Sequence, residues 1–452
     1  MIHKFYLNGL YIVLDVESGT VLTVDKMTYD VLDDFGILTR DEIVEKLKDT
    51  YPEEEILEAI LECEMLKNQG LLFTQNEYDP NLYQNHDLIK ALCLHVAHDC
   101  NLKCNYCFAS QGDFNGDKLL MPLEVGKKAI DFIIEQSKDR VNLEVDFFGG
   151  EPLMNLDVVK ELVNYARSQE KEHHKKFNFT MTTNAVLLDD ETMEYLDENM
   201  NNIVLSLDGR QCVNDNMRKT VNDKGSFDII IDKIKKMAAM RDADHKDYYV
   251  RGTFTKHNLD FSKDVAFLAE EGFKSISVEP VVAEEKHDYA ILEEDVDTIL
   301  KEYDQLALDY LNRKEKGLDY NFFHFNIDLD HGPCVYKRLS GCGAGRDYVA
   351  VTPEGDIYPC HQFVGNEAFK MGTVFDGIEH AEIKEDFAKA NLLQKEECKD
   401  CWCRYFCGGG CHANAYNFNQ TIMEPYHVAC ELERRRVENA IMIHIVENGL
   451  AE

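Results

Sequence analysis

The chain has 452 residues, 44% hydrophobic and 29% charged, enough for about three domains with sizeable cores. No run approaches the roughly 20 apolar residues of a membrane span, and the N-terminus lacks a signal-peptide layout, so a cytoplasmic protein with no membrane partner is expected. The formal charge of −36, from 84 acidic and 48 basic residues, speaks against nucleic acid as a partner, because phosphate binding needs a basic surface.

Residues 1–80 read as a small separate unit. Alternating apolar residues on either side of Asn8-Gly9 predict a hairpin, and Val21 to Val24 a further strand. Helices are expected over Met27–Phe35, over Ile43–Leu47 behind a start signal at Thr39, and from Glu53 to Gln69. Leu71 to Phe73 is expected to add a last strand, which makes the unit winged-helix-like. Asn76 to His86 is polar, contains Pro80 and fits a linker.

Residues 81–325 alternate strands with amphipathic helices. Strands are expected at Leu92–Val96, Leu143–Phe148, Phe177–Thr182, Ile203–Leu207, Tyr249–Phe254 and Ser275–Val282. Six βα units in a row imply a parallel sheet, as a partial barrel or an open doubly wound sheet. Residues 326–452 lose this rhythm, and cysteine and glycine take over, as in a small domain organised by metal.

Fifteen cysteines are many for a chain without a secretory signal, and disulfides are not expected there. Ten of them fall into two grouped patterns. Cys100, Cys104 and Cys107 follow the first strand as C-x3-C-x2-C. Three thiolates on one short loop can hold three irons of a [4Fe–4S] cluster and leave the fourth open. A zinc site completed by His95 or His98 is the alternative.

With these residues the sequence resembles the radical S-adenosylmethionine (SAM) superfamily. Gly149-Gly150-Glu151-Pro152 ends the second strand as that family's GGEP motif does, and glycine there lets the chain approach closely. The resemblance implies a partial (β/α)6 TIM barrel with SAM contacts from Tyr106, the GGEP residues, Ser206 and Arg218, and also from Asn184 and Asp208. Glu279, near the end of the sixth strand, is expected at the same rim, where α/β barrels bind ligands.

The remaining pattern is Cys342, then Cys360 in G-x4-C, then Cys398, Cys401, Cys407, Cys411 and Cys430. It resembles the SPASM domain, which carries two auxiliary clusters. The resemblance assigns Cys342, Cys360 and Cys411 to auxiliary cluster I, and Cys398, Cys401, Cys407 and Cys430 to auxiliary cluster II. With the SAM cluster this makes three [4Fe–4S] clusters. Cluster I is one protein ligand short. Either Cys334 fills the gap or an iron is open to substrate.

The N-terminal unit resembles the PqqD-like element that recognises a precursor's leader by strand addition. Together the three parts resemble the SCIFF-peptide maturases, which join a cysteine sulfur to a backbone carbon in a Cys-rich ribosomal peptide. The resemblance implies a leader-bearing precursor as partner and a one-electron donor such as flavodoxin or ferredoxin. His361, after Cys360, stands where sulfatase-maturating enzymes have Asp, and is a candidate proton acceptor. Formylglycine-forming sulfatase maturation and a non-catalytic iron–sulfur electron carrier are the alternatives.

Overall fold

Asn8 and Gly9 take φ of 51° and 83°, the left-handed pair that a two-residue hairpin requires. They join β1 (Ile2–Leu7) to β2 (Leu10–Asp15) with Leu7 opposite Leu10, and β3 (Val21–Val24) pairs along the other side of β2. The computed structural model describes residues 1–76, 88–329 and 339–450. Three helices follow the sheet: α1 (Lys26–Val31), α2 (Arg40–Leu47) and α3 (Glu53–Asn68). Thr39 and Glu42 cap α2 reciprocally, satisfying two backbone donors that have no partner within the helix.

The small sheet is buried on both faces, following the period of two. Val13 packs with Val31, Ile43, Ile56 and Ile60 of the helices. Ile12 and Leu14 point the other way, into the main core of the chain with Phe5 and Leu7. The strand expected at Leu71–Phe73 is a bend instead. Phe73 has φ 54°, which a strand ladder cannot accommodate, and Leu72 and Phe73 pack on the helices. All but the first residue of the linker expected at 76–86 lies outside the described residues.

Seven parallel strands form the main sheet: β4 (Ala91–His98), β5 (Asn142–Gly149), β6 (Lys176–Thr183), β7 (Asn202–Ser206), β8 (Asp247–Phe254), β9 (Ser275–Pro280) and β10 (Asn321–Phe322). They lie side by side in chain order. The helices between them include α4 (Leu123–Gln136), α5 (Leu156–His173), α6 (Asp190–Asn199), α7 (Phe227–Ala243), α8 (Ser262–Glu270) and α9 (Val296–Glu315). Leu92, Leu94 and Val96 of β4 share one core with Val125, Ala129 and Ile133 of α4. Cys93 and His95, on the opposite face, therefore point into the curl of the sheet.

That the sheet curls follows from its inner face. Four strand spacings, about 19 Å, separate β5 from β9 in a flat sheet. Yet His361 lies 5.1 Å, ring to ring, from Phe148 of β5 and feels the charges of Arg251 on β8 and Glu279 on β9. The strands thus wrap part of a barrel around one lumen.

Sequence rhythm gave no sign of the next strand. β11 (Tyr348–Val351) pairs parallel to β4, Tyr348 beside Ala91 and Val351 beside Leu94. It extends the barrel sheet into the cysteine-rich region. There β12 (Asp356–Tyr358), β13 (Gly372–Thr373) and β14 (Gly377–Ile378) add antiparallel. The stretch from Cys398 to Cys411 holds only four-residue helices, Glu396–Lys399 and Arg404–Cys407. The last helix, α10 (His427–Glu447), packs along α9, where Arg435 and Asp304 form a two-pronged ion pair at 2.6 and 2.7 Å. No described helix is long and apolar enough to cross a membrane.

Candidate active site

The loop after β4 carries Cys100, Cys104 and Cys107, and it is tied down from three sides. Leu102–Cys104 pairs antiparallel with Arg218–Thr220, setting Cys104 opposite Arg218. The Tyr106 hydroxyl donates to both oxygens of Asp208, at 2.8 and 2.9 Å, and accepts from Arg218 Nη1 at 3.2 Å. Asn184 Nδ2 donates to Asn101 Oδ1 at 2.7 Å and sits 3.7 Å from Cys100 Sγ.

The glycines at the end of β5 have a geometric reason. A Cβ on Gly149 would lie 2.2 Å from the Ala97 carbonyl oxygen, and one on Gly150 2.2 Å from that of Asp99. Only bare backbone lets the cysteine loop close onto the strand end. Gly149 also holds φ 124°. Glu151 is fully buried and accepts from the Asn184 amide and the Thr183 hydroxyl, both at 2.7 Å, and from the Leu153 amide at 3.1 Å. It latches this turn to the end of β6.

These pieces line one open cavity of about 150 Å³. Cys100, Cys104, Cys107, Tyr106, Gly149, Gly150, Glu151, Asn184, Ser206 and Arg218 all line it. Pro152, Asp208 and Glu279 stand back from it. Pro152 starts a short turn after Glu151, Asp208 holds Tyr106, and Glu279 pairs with Arg251 at 2.7 Å. Arg218 is buried and, among the described residues, its Nε has no hydrogen-bond partner. A buried donor of this kind calls for an acceptor, and an anionic group such as the SAM carboxylate fits it.

Burial pushes the Cys100 thiol up to about 12 and the Cys104 thiol to about 11. Thiolates here need a metal to hold them ionised. Among the described residues no three His, Cys, Asp or Glu gather closely enough for a single metal ion. His95 Nδ1 and His98 Nε2 lie 3.1 Å apart, bonded to one another inside the barrel.

The second pattern forms two further groups. Cys342, Cys360 and Cys411 lie within electrostatic reach of one another. His361 is next to them, its Nδ1 3.3 Å from the Tyr348 hydroxyl, and that hydroxyl also bonds to the Cys93 thiol. Cys398, Cys401, Cys407 and Cys430 line a separate cavity. Amides of Gly409 and Gly410 donate to the Cys407 sulfur, while burial pushes its thiol up to about 11. A cavity ringed by four thiols suits a cubane cluster. Cys403, outside the ten grouped cysteines, lines the same cavity as a fifth thiol and is buried. Cys334 lies outside the described residues. Cys63 is buried among the N-terminal helices, Cys93 in the lumen, and Cys212 is exposed.

Apart from Glu279, sequence reasoning missed the polar lining of the lumen. Arg251 and Glu279 pair there, with the Arg251 side chain 52% exposed. In the sheet Arg251 stands beside Ser206. His324 follows β10. Its Nδ1 is 3.0 Å from Arg436 Nη1, and its Nε2 is 3.3 Å from the Ser277 hydroxyl and 3.9 Å from Glu279. Arginine can only donate, so Nδ1 accepts and Nε2 carries the proton. No local motif marks these residues, since they come from four separate elements.

Comparison with known proteins names the architecture. The family model of the radical SAM superfamily matches residues 94–250, and that of the SPASM iron–sulfur cluster-binding domain matches residues 342–402. The chain has an α/β radical SAM core followed by a SPASM domain. A cysteine-type anaerobic sulfatase-maturating enzyme of Clostridium novyi is 24% identical over 70% of this chain and 86% of its own. A mycofactocin maturase of Mycobacterium ulcerans is 27% identical over 73% and 85%. The solved structure of native anSMEcpe with bound AdoMet aligns with a TM-score of 0.64 at 21% identity, covering 79% of this chain and 99% of that one. Streptococcus suis SuiB bound to the precursor peptide SuiA aligns with a TM-score of 0.52 at 17% identity over 94% and 98%.

Proposed function

We propose that the chain is a radical SAM maturase that joins a cysteine sulfur to an α-carbon in a leader-bearing, Cys-rich ribosomal peptide. The cavity that brings the Cys100 loop, Gly149, Gly150, Ser206 and Arg218 together carries this reading. Relatives named for sulfatase and mycofactocin maturation, and a similar fold seen with a precursor peptide, support a peptide substrate.

In this reading Cys100, Cys104 and Cys107 hold the SAM cluster, and Arg218 and Ser206 orient SAM. Cys342, Cys360 and Cys411 hold auxiliary cluster I. Cys398, Cys401, Cys407 and Cys430 hold auxiliary cluster II. When bound, a reduced cluster and SAM supply a 5′-deoxyadenosyl radical, and the protein supplies position and exclusion of water. The S–H and C–H bonds give way to one S–C bond. One hydrogen leaves on 5′-deoxyadenosine and one as a proton, with SAM as the oxidant. His361, steadied by Tyr348, is placed to take the thiol proton. The three-cysteine set supports an open iron for the substrate sulfur.

Residues 1–80 serve as the leader-recognition domain, 81–325 as the radical core and 326–452 as the SPASM domain. A flavodoxin or ferredoxin fits as electron donor, and the location is cytoplasmic. Formylglycine formation is the second reading, favoured by the name of the Clostridium novyi relative. Reduced, cluster-loaded protein with SAM and a Cys-rich precursor peptide separates the two. Loss of two hydrogens per crosslink, with one cysteine per crosslink protected from alkylation, supports the thioether. Conversion of a sulfatase-type peptide cysteine to an aldehyde would replace it. No 5′-deoxyadenosine at all would leave only an electron carrier.

A further inference from the structure

The loop Cys407-Gly408-Gly409-Gly410-Cys411 joins the two auxiliary cysteine groups. All three glycines have positive φ, at 72°, 93° and 74°. Side chains rarely adopt that conformation, and a run of three turns the chain from one group to the other within five residues. Lys395 is anchored at the middle of this turn. It is 1% exposed, and its Nζ donates to the Gly409 carbonyl at 2.8 Å. Its Cδ lies 3.8 Å from where a Gly409 Cβ would be.

The surroundings of this ammonium are unusual. Among the described residues no carboxylate pairs with it, although the chain carries a large acidic excess. An ammonium has three protons and the Gly409 bond uses one. Cys407 and Cys411 flank the glycine turn it bonds to. Burial holds its pKa below the usual lysine range, and Cys398, Cys407, Cys411 and Cys430 offset part of that. Cys411 belongs to one group and the other three to the second. A buried cation is costly unless a counter-charge meets it. A cubane cluster on three or four thiolates is anionic in both common redox states, so the two auxiliary clusters would supply that counter-charge.

We infer that Lys395 is a cation shared by the two auxiliary cluster sites, placed to stabilise the reduced state of both. This rests on the cluster assignment above, not on the peptide chemistry. Charge and hydrogen bonds to cluster sulfur set reduction potential. A positive charge between two clusters favours the added electron on either one, and it screens their repulsion.

The test is a redox titration of cluster-loaded protein followed by electron paramagnetic resonance. The Cys100, Cys104 and Cys107 triple Ala background isolates the auxiliary signals. Lys395→Met removes the charge and keeps the chain length, and Lys395→Arg restores a cation. The expected result is a fall in both auxiliary potentials in Lys395→Met, each by at least tenfold in the reduction equilibrium, or 59 mV for one electron. Lys395→Arg should recover most of the shift. Movement of only one potential, or of neither, overturns the shared role. If Lys395→Met takes up less iron, Lys395→Gln is titrated instead, and unchanged potentials there overturn it equally. An absence of iron and sulfide at these cysteines in the wild-type chain would fail the cluster assignment itself, and a failure of peptide turnover leaves the potentials measurable.

Discussion

His3 stacks on Trp402 with ring centroids 3.7 Å apart and planes only 3° from parallel. One ring belongs to the first strand of the chain and the other sits between Cys401 and Cys403. Next to this pair Arg404 forms an ion pair with Glu17, both nearly buried, and the Tyr405 hydroxyl donates to Glu17 at 2.9 Å. Arg404 also lines the cavity of the second auxiliary group. The N-terminal sheet is thereby fastened to the segment that supplies auxiliary cysteines.

This fastening predicts a stability cost. Glu17→Gln leaves the Arg404 guanidinium buried without its carboxylate. Breaking a buried pair in this way costs about 3 kcal/mol. Denaturant unfolding of the cluster-loaded protein should show that loss, and a change below about 0.5 kcal/mol, the range of ordinary surface substitutions, would contradict the buried pair. Trp402 is the only tryptophan, so its emission reports on the same contact.

The SAM site predicts a clean separation of clusters. Replacing Cys100, Cys104 and Cys107 by Ala should abolish 5′-deoxyadenosine formation and leave the iron of the two auxiliary groups in place. Retained SAM cleavage in the triple variant would sink the assignment of this loop.

The lumen pair predicts a binding defect. Arg251 and Glu279 offer donors and an acceptor to a peptide entering beside Ser206 and His361. Hydrogen bonds to charged groups contribute about 1.5–3 kcal/mol. Arg251→Gln should therefore raise the KM for peptide by about tenfold or more, with SAM affinity measured separately. A selective loss of SAM binding would place Arg251 at the cofactor instead.

Cys334 decides how open the first auxiliary group is. With three cysteines holding it, Cys334→Ala should keep the iron and sulfide content of the wild type. A deficit of one cluster in that variant would make Cys334 the fourth ligand.

Much of this was legible because it is local. The hairpin at Asn8-Gly9, the cap at Thr39 and the loop of Cys100 to Cys107 each depend on residues a few positions apart. The alternation of apolar residues gave β4 to β9 within two residues at most ends. What escaped was long-range. β11 is four residues long and is held as a strand by two partners, the distant β4 edge and β12. Glu279 reads as a rim residue in sequence, yet its carboxylate turns to Arg251, which no spacing rule connects to it. The glycines of the GGEP turn were expected to make room for a ligand. Their nearest would-be clashes are with the backbone of Ala97 and Asp99.

The most direct measurement of the central claim follows one hydrogen atom. The Cys-rich precursor is prepared with deuterium at its α-carbons and incubated with reduced, cluster-loaded protein and SAM. The account predicts 5′-deoxyadenosine that carries a deuterium, formed alongside a peptide that has lost two hydrogens. Deuterium-free 5′-deoxyadenosine accompanying the modified peptide would contradict it.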